Sequence, residues 1–317
     1  MKKKHSDLHS TDLKTMYRFI QKQSEHYPVQ VLCQTLAVSR SRYYEWLKPT
    51  PSPAPIELDT QPTQVEKMAN TQQIKDLFSL HRRRYGTRRL VDAMKDRGVK
   101  VSRDFVRKVL VNNGLKPIQP RSFVPRTTDS RHTLGYSPNL LLDRPRPTGP
   151  NQIWVSDITY IPLANGKWLY LAVWVDLWSR RVVAVPRPGW CLADHMRDEL
   201  VITALRRALL GRQPADGLLL HSDRGGQYAS KDFRKLLAGK HLQSMSRAGE
   251  CYDNATAESF WSRLKAEVVE SGVFLSLDDA RVELGEYIDN YYNAIRKHSG
   301  IGYCSPVQFE FKHMSQN

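Results

Sequence analysis

The sequence has 317 residues, 40% of them hydrophobic and 25% charged, so two or three folded domains fit and disorder throughout is excluded. A net charge of +16 points to a polyanionic partner. The longest apolar run is too short to span a bilayer, and the lysine-rich start lacks the apolar stretch of a signal peptide. Four scattered cysteines without a C-x-x-C pair disfavour a disulfide scaffold or zinc knuckle and fit a reducing cytoplasm.

The positive charge is concentrated in the first half of the sequence. Residues 1–150 hold 28 Lys and Arg against 13 Asp and Glu, whereas residues 151–317 hold 20 against 19. Because basic side chains neutralise backbone phosphates, we expect residues 1–150 to bind DNA without magnesium and residues 151–317 to bind it poorly by themselves.

Residues 1–50 predict a helix-turn-helix-like region, with two short helices around a turn near Val38 and a cap at Ser39 or Ser41. A proline-rich linker is expected at 51–65 and a basic, proline-rich linker at 119–149, since proline fixes φ and removes a backbone donor.

Residues 66–118 predict a helix-turn-helix DNA-binding domain. Thr87 and Ser102 are the expected N-caps of its second and third helices. The third helix has an apolar stripe and a basic face that carries Arg103, Arg107 and Lys108, which suits insertion into a major groove. An ordinary three-helix bundle with a solvated basic face explains the same pattern; the basic first half favours DNA.

From residue 150 the pattern predicts a mixed α/β core that ends near residue 271, followed by a C-terminal segment at 272–317. The expected order is β-β-β-α-β-α-β-α, with an Asn-Gly hairpin turn at 165–166. The five strands are expected at 153–161, 168–176, 181–185, 217–223 and 243–246, and the three helices at 194–210, 230–238 and 254–270.

Three acidic residues of this core stand out by position. Asp157 lies within the first strand, Asp223 ends the fourth, and Glu258 lies one turn into the last helix. Strands one and four can be neighbours, and converging carboxylates would suit two Mg²⁺ or Mn²⁺ ions that assist phosphodiester chemistry. Taken singly, each of these acids is better explained as a surface or loop residue. By position alone, Asp176 and Asp253 are equally good candidates for the site.

Several long motifs, in the right order, resemble the transposases of bacterial insertion sequences, a group related to retroviral integrases. The chain resembles the second-reading-frame product of such elements. The motifs are 84–90, 101–107, 151–160, 221–228, 244–247, 251–267, 287–293, 296–299 and 305–306.

The resemblance implies a helical DNA-binding region followed by a ribonuclease-H-like integrase core with Asp157, Asp223 and Glu258 as its catalytic, metal-binding triad. The alternatives Glu250 and Glu267 do not match the motif. The Asp223-to-Glu258 spacing is one residue shorter than usual, and a helix-to-strand loop tolerates that deletion. The expected DNA contacts are Lys265, Arg88, Arg89, Arg103, Arg107, Lys108 and Arg247.

The sequence therefore predicts a DDE transposase that binds terminal inverted repeats, cleaves the element's 3′ end and joins it to target DNA with two Mg²⁺ ions, which Mn²⁺ can replace. Because two DNA ends must be held together, this prediction implies at least a dimer. We expect the protein to act in the bacterial cytoplasm, at the nucleoid, without a membrane partner. The active species is either this chain alone or a fusion with the first-frame product. Two rivals stay open: a nuclease of the same fold without strand transfer, and a DNA-binding regulator with a degenerate core.

Overall fold

A computed structural model describes residues 12–47, 63–120, 134–142, 144–183, 189–247, 255–269 and 273–314. The chain divides into two compact units between Val65 and Glu66. Most of the expected linker at 51–65 and part of the one at 119–149 lie outside the described residues. In the described ranges, no helix is long and apolar enough to cross a membrane.

The first unit contains three short helices: α1 (Leu13–Gln23), α2 (Val29–Thr35) and α3 (Arg40–Leu47). They pack around a small core that includes Tyr17, Ile20 and Tyr43. The Ser39 hydroxyl accepts a long hydrogen bond from the Arg42 amide at 3.5 Å, which makes Ser39 the cap of α3. The helix pair expected around residues 38–39 is confirmed.

The second unit begins with another helical group: α4 (Gln64–Leu80), α5 (Thr87–Asp96) and α6 (Arg103–Asn112). Ser102 caps α6 as expected, because its hydroxyl accepts from the Phe105 amide at 3.0 Å. The expected cap at Thr87 is wrong. Gly86 occupies the N-cap position, and the Thr87 hydroxyl instead accepts from Arg103 Nε at 3.3 Å.

A five-stranded mixed sheet forms the centre of the second unit, in the order β3-β2-β1-β4-β5. Its strands are β1 (Ile153–Pro162), β2 (Trp168–Asp176), β3 (Trp190–Ala193), β4 (Leu219–Ser222) and β5 (Leu242–Met245). Strand β1 is antiparallel to β2 and parallel to β4, so the expected contact between the first and fourth strands is confirmed.

The third strand lies at β3 and not at 181–185 as expected, although the Asp176 amide donates to the Arg181 carbonyl and the Val183 amide to the Trp174 carbonyl, both at 2.8 Å. Val182 makes a single bridge to Val175, and residues 184–185 lie outside the described residues. The Asn293 side chain accepts from the Val182 amide and donates to its carbonyl. A side-chain amide thus takes the backbone groups that a sheet neighbour would need.

Helices cover both faces of the sheet, because alternate strand residues point to opposite sides. One face packs against α7 (Asp198–Arg212), α8 (Gly226–Ala229) and α9 (Lys231–Leu237). The other packs against α10 (Ala255–Glu267), α11 (Leu277–Gly285) and the π-helical turns Glu286–Tyr292.

The last helix, α12 (Pro306–Met314), is attached to the sheet unit by ion pairs. Buried Glu310 accepts from Arg181 at 2.6 Å and from Arg212 at 2.7 Å. The C-terminal segment therefore belongs to the folded unit.

Candidate active site

Asp157 lies in the middle of β1, and its carboxylate points toward α10. One oxygen accepts from the amide of Ile158 at 2.8 Å, and the other accepts from the indole N–H of Trp261 at 3.0 Å. Trp261 is a mostly buried residue of α10. Helix α10 and the central strand are therefore joined directly at the Asp157 carboxylate.

Asp223 is the first residue after β4, whereas the sequence placed it as the last residue of that strand. Strand β4 runs parallel to β1. Its Oδ1 accepts from the amide of Gly225 at 3.0 Å. A β-carbon at position 225 would lie 3.1 Å from Asp223 Oδ1 and 2.9 Å from Gln227 Oε1. A side chain here would therefore displace the Gln227 side chain and press on the Asp223 carboxylate.

The two aspartates perturb each other electrostatically. Burial, then the negative charge of Asp223, and to a smaller degree the charge of Glu258, raise the pKa of Asp157 above its usual range. Buried Tyr228 is close to both aspartates, whose charges raise the pKa of its phenol further after burial. Its hydroxyl bonds the hydroxyl of Ser156 at 2.8 Å, beside Asp157.

Glu258 stands apart from this pair. It is an exposed residue of α10, one turn before Trp261. Across the described part of the chain, no three His, Cys, Asp or Glu side chains are grouped closely enough to hold a metal ion. The structure therefore pairs Asp157 with Asp223, and Glu258 acts on Asp157 at longer range.

Lys265 is half-buried on α10, two turns after Glu258. Burial lowers the pKa of its ammonium, and the charge of Asp157 works in the opposite direction. Lys265 therefore lies within electrostatic range of the aspartate pair.

The rival carboxylates have structural partners. Asp176 is buried and accepts from the amides of Asn151, Trp178 and Ser179, so it holds the turn after β2. Glu267 is buried in an ion pair with Arg296. The rivals Asp253 and Glu250 lie outside the described residues.

The expected DNA contacts divide into two groups. Arg88, Arg103, Arg107, Lys108 and Arg247 are exposed, and Arg107 and Lys108 both pair with Asp104 at the surface. Surface pairs of this kind are weak, so both remain accessible to a phosphate.

Arg89 behaves differently from the exposed group. It is half-buried and donates to the carbonyl of Lys297, 208 residues away in sequence, at 2.7 Å. The side chain therefore faces the C-terminal segment.

Sequence reasoning missed this contact between the helical domain and the C-terminal segment. Arg84 lies over the rings of Tyr287 and Tyr291 at 5.0 and 4.5 Å and donates to the carbonyl of Glu267, the last residue of α10. The hydroxyl of Tyr85 accepts from the amide of Lys297 at 3.0 Å. Two motifs noted separately in the sequence therefore bind each other.

Lys297 completes the contact through its ammonium, which pairs with Asp92 and Asp96 of α5. Because Asp92 and Lys297 are both largely shielded from water, this pair is less screened than a surface pair. The helical domain is therefore held beside the C-terminal end of the helix that carries Glu258.

Comparison with known families agrees with this architecture. Residues 147–251 and 241–306 match the family described as "Integrase core domain", and residues 66–123 match the one described as "HTH-like domain". The protein is thus a DNA-binding polynucleotidyl transferase of the DDE type, with a ribonuclease-H-like core.

Curated relatives are more specific. The chain is 36% identical over 305 residues to transposase InsF for insertion sequence IS3A of Escherichia coli strain K12, covering 94% of this chain and 99% of that protein. It is 39% identical over 283 residues to the "Insertion element IS600 uncharacterized 31 kDa protein" of Shigella sonnei, covering 89% of this chain and 98% of that protein. The chain belongs to the IS3 family of transposases.

Solved structures give a more distant likeness. The catalytic core domain of HTLV-2 integrase in complex with magnesium, in a trimeric form, is 20% identical with a TM-score of 0.38, covering 52% of this chain and 99% of that chain. A chain of the simian T-cell lymphotropic virus intasome is 20% identical with a TM-score of 0.42, covering 75% of this chain and 74% of that chain.

Proposed function

We propose that this transposase binds the terminal inverted repeats of its insertion sequence, cleaves the element's 3′ end and joins that end to target DNA. Asp157, Asp223 and Glu258 are the catalytic residues of this proposal. The observation that carries it is the close placement of Asp157 and Asp223 at neighbouring strands, with Glu258 on a helix tied to Asp157 through Trp261.

The donor set suits a hard divalent cation. Burial and then the charge of Asp223 raise the pKa of Asp157, and a cation between the two carboxylates would relieve their repulsion. Carboxylate oxygens are the ligands that Mg²⁺ prefers, with Mn²⁺ as the natural substitute. Asp157, Asp223 and Glu258 would hold two such ions, which when bound supply Lewis-acid stabilisation of phosphodiester oxygens.

Neighbouring side chains orient these groups. The Ile158 amide and the Trp261 indole each bind one Asp157 oxygen, and the Gly225 amide binds one Asp223 oxygen, so both carboxylates are held in fixed orientations. Lys265 lies within electrostatic range of Asp157 and would bind a phosphate of the DNA end.

DNA recognition would come from the basic helical regions at 1–50 and 66–118, joined by linkers at 51–65 and 119–149 to a core at 150–271 and a C-terminal segment at 272–317. Exposed Arg88, Arg103, Arg107 and Lys108 would contact the repeat, and exposed Arg247 the DNA near the core. Holding two element ends requires at least a dimer, and the first-frame product is a further candidate partner. The relatives are bacterial transposases, so we infer action on the bacterial nucleoid.

The test is a strand-transfer assay of the full chain with a labelled terminal-repeat duplex, MgCl₂ and a plasmid. Asp157→Asn, Asp223→Asn and Glu258→Gln should each reduce cleavage and joining to background while duplex binding persists. The exposed carboxylate Asp278, changed to Asn, is the matched control and should keep full activity.

Each alternative gives a distinct outcome. Cleavage without joined products would identify a nuclease, and binding without any metal-dependent cleavage would identify a regulator. Full activity of Glu258→Gln would refute the assignment of the third acid.

A further inference from the structure

A cavity of about 120 Å³ lies beside α10, on a different side of the helix from the aspartate pair. Thr256, Ser259, Phe260 and Arg263 line it at helical spacing, so they share one face of α10. Trp261, which bonds Asp157, lies on the other side. The cavity is therefore separate from the candidate active site.

The cavity is strongly cationic. Four arginines line it, namely Arg89, Arg180, Arg263 and Arg296. The charge of Arg296 is compensated by Glu267. Within the described ranges, none of the other three guanidiniums forms an ion pair with a carboxylate. Three half-buried positive charges close together repel each other unless an anion joins them.

His298 supplies independent evidence that the cavity binds a polar group. Its side chain is 9% exposed, and its Nε2 atom is shielded from water without a hydrogen-bond partner in the described part of the chain. The ring is held edge-on to Tyr292 at 4.8 Å between centroids, and it lines the same cavity. A buried polar nitrogen normally has a partner, so Nε2 is available to a group that enters the cavity.

The backbone around the cavity is fitted to the arginines. A β-carbon at Gly300 would lie 3.2 Å from Nε and Nη2 of Arg180, so glycine lets the chain lie against the guanidinium. Arg180 itself has φ +60°, an unusual value for a residue with a side chain. The Tyr292 hydroxyl donates to the Arg180 carbonyl at 3.1 Å and holds this conformation.

We propose that the cavity binds a phosphate group through Arg89, Arg180, Arg263 and His298. Guanidinium groups donate several hydrogen bonds in a fixed geometry that matches phosphate oxygens. In the neutral tautomer that carries its proton on Nε2, His298 would donate to a phosphate oxygen. The side chains of Ser259 and Thr256 line the same cavity. A cavity of this size has room for several waters or one tetrahedral anion.

The phosphate has two candidate sources, a DNA backbone and free inorganic phosphate. The first measurement is binding of inorganic phosphate to the full chain without metal, by calorimetry at constant ionic strength. Arg180→Gln and Arg263→Gln should each weaken it by at least about tenfold, since each removes a charge-assisted contact. The control is Arg206→Gln, an exposed arginine of α7 on the other face of the sheet, and it should bind as wild type.

The thermal midpoint in chloride buffer separates this role from a purely structural one. Removing Arg180 or Arg263 relieves repulsion between like charges, so the midpoint should stay the same or rise, while the increase caused by phosphate is lost. A fall in the midpoint with phosphate binding intact would overturn the proposal. So would wild-type chain that binds no phosphate.

The second measurement identifies the source. The salt dependence of duplex binding should become shallower by about one in log–log slope for each arginine removed, if a DNA phosphate occupies the cavity. An unchanged slope with lost phosphate binding supports a free anion at the same site. Neither measurement uses cleavage or joining, so failure of the proposed catalytic residues would leave both results interpretable.

Discussion

The buried ion pair between Arg296 and Glu267 provides the sharpest test of how α10 and the C-terminal segment are joined. The two side chains are 1% and 3% exposed. Arg296 Nε donates to Glu267 Oε2 at 2.9 Å, and the hydroxyl of Tyr287 donates to the same oxygen at 3.0 Å. The perturbation is Arg296→Met, which keeps much of the apolar volume and removes the charge.

The expected cost follows from what Arg296→Met leaves behind. Glu267 would stay buried without its ion-pair partner, while the Tyr287 hydroxyl still donates to it, and removing one partner of a buried pair costs about 3–5 kcal/mol. For a unit of this size that corresponds to a fall of roughly 6–20 °C in the thermal midpoint. The double variant Glu267→Gln with Arg296→Met leaves no unpaired charge and should recover most of the loss.

The assay is thermal and urea unfolding of the wild type, both single variants and the double variant. Arg281→Gln breaks an exposed pair with Asp278 and is the control, with an expected effect under about 0.5 kcal/mol. A cost below about 1 kcal/mol for Arg296→Met, or a double variant as unstable as Arg296→Met, would refute this account of the pair.

Three further predictions concern the helical domain. Ser102→Ala removes the cap of α6 and should cost about 1 kcal/mol in the free energy of unfolding, whereas Ser102→Asp should restore it. Arg84→Gln should lower the thermal midpoint without changing the salt dependence of DNA binding, because its side chain contacts tyrosines of the C-terminal segment; the reverse result would make it a DNA contact. Burial lowers the pKa of His81 to about 4, so the unfolded chain binds more protons between about pH 6.5 and 4. Stability should therefore fall as pH falls through that window, by at most about 3 kcal/mol from this residue, and His81→Phe should show a smaller acid-induced loss in unfolding titrations.

Sequence patterns determined much of the fold. Alternation and apolar runs located β1, β2, β4 and β5, and turn chemistry located the hairpin at 165–166, where the Leu163 amide bonds the Lys167 carbonyl. These features are local, because strand periodicity and turn chemistry depend on residues close together in the chain. The motif context also separated Asp223 and Glu258 from other acids, and the structural roles of Asp176 and Glu267 agree with that separation.

Long-range contacts decided the rest. The third strand expected at 181–185 lies at β3 instead, while Val182 makes a single bridge to β2 and its backbone binds the side chain of Asn293, 111 residues away. Arg89 was expected to contact DNA through the basic charge of the first half, yet it faces the C-terminal segment and lines a cavity with Arg180. Charge counting could not reveal this, since it does not say which arginines are used within the protein.

The order of most helices and strands, the cap at Ser102, the hairpin turn and the candidate acids thus follow from local sequence. Tertiary packing sets which groups meet: Asp157 with Asp223, Arg84 and Tyr85 with the C-terminal segment, and His298 with a ring of arginines. The physical reason is that pairing energies depend on burial and distance, and both are set by packing of segments up to about 200 residues apart.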